Sequence, residues 1–69
     1  MKILTIARGD DWNGLYVGED LVNEGHSFSM LEIAKTAMTC GEVVQKYVNL
    51  GWLSERGSFP LKLSEVVFD

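Results

Sequence analysis

A chain of 69 residues with one cysteine and one histidine is sized for a single domain, and it has neither an internal disulfide nor the donors for a structural zinc site. Ten Asp and Glu against six Lys and Arg give a formal net charge of −4, which excludes the basic footprint that generic nucleic-acid binding or an anionic membrane surface requires. Hydrophobic residues make up 46% of the chain, enough for a packed core and too much for disorder.

In chain order, residues 2–7 (KILTIA) read as a strand with Ile3, Thr5 and Ala7 on one face and Leu4 and Ile6 on the other. Apolar residues on both faces mark a central strand. Gly9-Asp10-Asp11 is turn chemistry. Residues 12–17 (WNGLYV) and 21–24 (LVNE) read as two strands joined by Gly18-Glu19-Asp20 into a hairpin, with a bulge expected at Gly14.

Residues 26–51 carry the helical periodicity. Ser29 and Glu32 have the spacing of a capping box, and Phe28 is placed to staple onto Ile33. Met30, Ile33, Ala34, Ala37 and Met38 repeat as an apolar face. Thr39 and Glu42 repeat the capping spacing, which predicts a second helix with Val43, Val44, Tyr47, Val48 and Leu50 inward and Gly51 as its left-handed end. Residues 61–68 (LKLSEVVF) read as a last strand whose two halves differ in phase, with a bulge near Ser64-Glu65. The string β-β-β-α-α-β predicts an α+β domain: a small, mostly antiparallel sheet with two short helices packed on one face. The first and last strands are expected as neighbours, with the hairpin at the other edge.

No apolar run approaches a membrane span, and MKILTIARGDD is too short in its apolar part for a signal peptide. The chain therefore reads as cytoplasmic, in keeping with a free cysteine.

No catalytic centre is expected. His26 and Cys40 are the available base and nucleophile, but the helical residues Ser29–Thr39 would separate them by about 16 Å. The carboxylates sit mostly in turns, where backbone chemistry favours them, and no calcium-loop pattern is present, so neither a metal nor a cofactor is expected. Arg8-Gly9-Asp10 matches an integrin-binding tripeptide at chance level. Residues 32–50 have some helix-turn-helix character through Ile33, Ala34, Ala37, Val44 and Tyr47. Met38, however, stands where the turn glycine belongs, and Gln45, Lys46 and Asn49 come without an arginine.

Seven aromatic residues (Trp12, Tyr16, Phe28, Tyr47, Trp52, Phe59 and Phe68) exceed what so small a core needs. Surface Trp and Tyr favour protein contact. The expected partner surface is therefore Asp10, Asp11, Trp12, Tyr16, Glu19, Asp20, Glu24 and Trp52, an acidic and aromatic face suited to a basic site on another protein. A homo-oligomer is a further expectation.

The run Asp11–Met38 combines an aromatic-plus-Leu-Tyr-Val strand, a glycine turn, a short return strand, Glu-Gly-His-Ser and a capped helix. In this it resembles small uncharacterised proteins of bacteriophages and related mobile elements. The resemblance implies a non-enzymatic module that binds and blocks a host protein, such as a defence nuclease complex or the transcription or replication machinery. The alternative is a small DNA-binding regulator using residues 32–50.

Overall fold

The computed structural model describes residues 2–69. Its centre is β1 (Ile3–Arg8), flanked antiparallel by β2 (Asn13–Val17) and parallel by β4 (Glu42–Tyr47). β3 (Asp20–Gly25) pairs antiparallel with β2, so the sheet order is β3-β2-β1-β4. The domain is α+β with a mostly antiparallel sheet, and the hairpin lies at the edge away from β4. Leu4, Thr5, Ile6 and Ala7 are all buried, as two apolar faces demand of a central strand. Gly18, with φ of +61°, makes the hairpin turn. The register shift falls between Leu15 and Tyr16 and not at Gly14. Gly14 is needed for another reason: a Cβ there would lie 3.1 Å from the Phe59 ring.

Each sheet face has its own cover. Leu4, Ile6 and Leu15 pack with Val17, Phe28, Ile33, Ala37 and Cys40 beneath α1 (Met30–Ala37). Ala7 and Tyr16 pack with Val48, Leu53, Phe59 and Val66 beneath α2 (Leu50–Arg56) and the C-terminal segment. The expectation of two helices on one face is thus corrected. Two connecting residues after β4, Val48 and Asn49, place α2 below the sheet, whereas α1 is the crossover between the two edge strands and lies above it. α1 is capped by Ser29, whose hydroxyl accepts from Glu32 N at 3.1 Å. Ile33 and Ala37 face inward, while Met30 and Met38 are exposed, so the inward stripe is narrower than the apolar spacing suggests.

The expected second helix is a strand. Residues 42–47 include the β-branched pair Val43-Val44 and Tyr47, which fit a pleated surface better than a helix. Thr39 donates its hydroxyl to Thr36 O and so closes α1 without opening a new helix. The helix-turn-helix pattern over residues 32–50 is therefore not realised: Gln45 and Lys46 lie on β4, and Asn49 caps α2. The Asn49 side chain accepts from Trp52 N at 2.9 Å. Gly57, with φ of +83°, ends α2, and Gly51 lies within it, so the expected role of Gly51 passes to Gly57.

Residues 61–68 do not form one strand; they strap the sheet. Leu61 O accepts from Leu21 N at 3.0 Å, and Leu63 N donates to Glu19 O at 2.8 Å, which ties the strap to the edge of β3. A 3-10 turn, Leu63–Glu65, then carries the chain across the face through buried Val66. At the other edge Phe68 bridges Val48, with Asn49 N donating to Val67 O and Asp69 N to Tyr47 O. The change of phase in LKLSEVVF is this crossing between edges. The neighbour of β1 is accordingly β4 and not the final segment.

Candidate protein-binding groove

The connection between β1 and β2 is held by its own backbone chemistry. Gly9 N donates to Asn13 Oδ1 at 3.2 Å, and a Cβ on Gly9 would fall 2.2 Å from Trp12 O, so the loop closes only around glycine. Buried Asn13 donates in turn to His26 O at 2.9 Å, tying this loop to the end of β3. Trp12 is clamped between the two. Its Nε1 donates to Glu24 Oε1 at 2.9 Å, and its indole stands edge-on to His26 with ring centroids 4.8 Å apart. His26 Nδ1 lies 3.0 Å from Asp11 O.

Opposite this loop runs α2. Asp10, Asp11 and Trp12 on one wall and Leu50, Gly51, Leu53, Ser54 and Gly57 on the other enclose a groove of about 530 Å³. Among the described residues, neither the Asp10 nor the Asp11 side chain has a hydrogen-bonding or ionic partner. Both are exposed, and Leu50 is 49% exposed beside them. The groove therefore offers two free carboxylates, one fixed aromatic and an accessible apolar edge.

The other residues expected at a partner surface have different duties. Tyr16 is fully buried, and its hydroxyl donates to Pro60 O at 2.6 Å; burial, reinforced by Glu24, pushes its phenol well above the usual range. It belongs to the core because it lies on the inward face of β2, directly under the strap. Half-buried Glu24 accepts from both Trp12 Nε1 and Phe59 N, the latter at 3.0 Å. Glu19 accepts from Ser64 N at 2.6 Å, and hydrogen bonding to Ser64, its side chain first and its backbone second, holds the Glu19 carboxyl below the usual carboxylate range. Asp20 is paired with Lys62 at 2.5 Å, which lowers the Asp20 carboxyl and raises the Lys62 ammonium. Trp52 is half-buried against the core with Arg56 above its ring at 6.0 Å, and it does not line the groove. His26 and Cys40 belong to separate settings, the first beside Trp12 and the second under α1. Of the eight expected contact residues, the groove brings together Asp10, Asp11 and Trp12.

Sequence reading missed the α2 wall because it ran a helix through residues 43–50. The signal was present in Asn49, a good N-cap, followed eight positions later by Gly57. Among the described residues no group of three His, Cys, Asp or Glu is placed to hold a metal ion, and no helix is long and apolar enough to cross a membrane. No family model matches the chain, and searches of curated proteins and of solved structures returned no significant match.

Proposed function

We propose that this chain is a non-enzymatic protein-binding module, phage-encoded and cytoplasmic, that inhibits or modulates a host protein by seating a basic, partly apolar segment in the groove between Asp10–Trp12 and α2. The observation that carries the reading is the pair of unpartnered carboxylates beside a clamped tryptophan and exposed Leu50. Carboxylates already tied to the fold, such as Glu24, cannot turn to a partner without leaving buried donors unpaired. Asp10 and Asp11 carry no such obligation. A rigid aromatic in a pocket is the usual energetic centre of an interface, and flanking charge governs the rate of encounter and the choice of partner. The net charge of −4 and the likeness to small acidic phage proteins support a basic site on the partner, including one built for nucleic-acid phosphates.

The test is quantitative capture from bacterial lysate with wild type and an Asp10→Lys/Asp11→Lys variant as bait. Wild type is expected to retain a stoichiometric basic partner, and the variant to lose it by about tenfold or more, since reversing two charges at an interface costs several kcal/mol. No partner under varied salt, or equal capture by both baits, would overturn the reading.

A further inference from the structure

From the outer edge of β4 we infer that two copies of this chain pair β4 to β4 about a two-fold axis at Val44, which joins the two sheets into one. In a parallel ladder successive residues turn their N–H and C=O groups alternately inward and outward. Val48 N donates inward to Arg8 O, whereas Tyr47 O and Asn49 N bond outward to the strap. Within β4 the odd-numbered residues therefore face outward, and the N–H and C=O groups of Val43 and Gln45 form an edge that no strand among the described residues covers. The strap occupies the edge from Tyr47 onward. That leaves residues 42–46 as the free run, and the midpoint of that run is Val44.

The side chains select the same centre independently. Glu42, Val44 and Lys46 share one face of β4. An antiparallel pairing centred on Val44 sets Glu42 of one copy opposite Lys46 of the other, twice by symmetry, with the two Val44 side chains meeting on the axis. Among the described residues neither Glu42 nor Lys46 has an ion-pair partner within the chain; the Lys46 ammonium rests 5.4 Å over the Phe68 ring. In the paired edge Val43 N–H meets Gln45 C=O and Gln45 N–H meets Val43 C=O, again twice. A centre moved one residue toward Tyr47 would bring the partner strand against the strap, and a move in either direction would place Glu42 opposite a valine. A self-complementary patch with closed symmetry is what a two-fold dimer requires, and a domain of this size gains from covering an edge that its own core cannot. The pairing uses no residue of the groove.

The experiment is sedimentation equilibrium of the full chain from about 10 µM to about 1 mM, because mass action makes the dimer fraction depend on concentration. Wild type is expected to approach twice 7.7 kDa. Glu42→Lys and Lys46→Glu each place like charges opposite one another and should each weaken association by about tenfold, while the double swap restores it. Gln45→Pro removes an outward amide and leaves the bonds to β1 in place, so it should give a monomer with unchanged far-UV circular dichroism. A wild type monomeric throughout would overturn the inference, as would dimers indifferent to Gln45→Pro or single charge variants that the double swap fails to rescue.

Discussion

Tyr16 shows how one side chain can be surplus in composition and essential in place. Its ring meets Phe59 edge-on, with centroids 6.2 Å apart, and its hydroxyl satisfies Pro60 O beneath the strap. Tyr16→Phe keeps the ring and deletes the hydrogen bond, which should lower unfolding free energy by about 1–2 kcal/mol in urea titration, because a buried carbonyl is left without its donor. Partner capture by that variant should be unchanged, since the residue is not at the surface. Gly14 makes the complementary case: Gly14→Val drives two methyl groups into the Phe59 ring already 3.1 Å from a bare Cβ, and overpacking of this kind costs about 1–3 kcal/mol. The sequence could not separate Tyr16 from Trp12, because both sit in one strand-like run with aromatic character. What divides them is position along the chain: Tyr16 lies within β2 under the strap, whereas Trp12 precedes β2 in the loop and packs against the rim of the same cluster.

At the scale of elements, legibility followed the range of the contacts involved. β1 was legible because apolar residues on both faces can only be central. The hairpin was legible from its glycine turn, and the start of α1 from Ser29. β4 was not, because an exposed edge strand shows the polar pattern of Glu42, Gln45 and Lys46 around valines, which helical spacing mimics. Only its pairing with β1, some forty residues earlier, decides the matter. α2 is short and depends on its ends. Asn49→Ala should therefore cost about 1 kcal/mol and lower the melting temperature by about 4–8 °C in calorimetry. The strap answers to pH. Glu19 and Asp20 have lowered folded pKa values, so their contribution is present above the ordinary carboxylate pKa of about 4 and is lost as pH falls through the lowered values. Lys62, raised in the fold, contributes below its ordinary pKa and loses that contribution only in alkali, as pH rises through the raised value. Hydrogen exchange at the Leu21 and Leu63 amides should accordingly accelerate in acid beyond what intrinsic rates require, with protection retained at neutral pH.

At the scale of the molecule, the fold among the described residues ties four carboxylates to itself, those of Glu19, Asp20, Glu24 and Asp69, and leaves two unpartnered ones side by side in the groove. Glu24 secures Trp12 and Phe59, Glu19 and Asp20 secure the strap, and Asp10 and Asp11 remain free beside α2. The most direct measurement installs a photo-crosslinking amino acid at Ser54, inside the groove, or at Thr36, on α1 above the opposite face, and irradiates each protein in bacterial lysate. A partner seated between Asp10–Trp12 and α2 predicts one dominant adduct from position 54 and none from position 36. An adduct from position 36 alone, or the same yield from both positions, would contradict it.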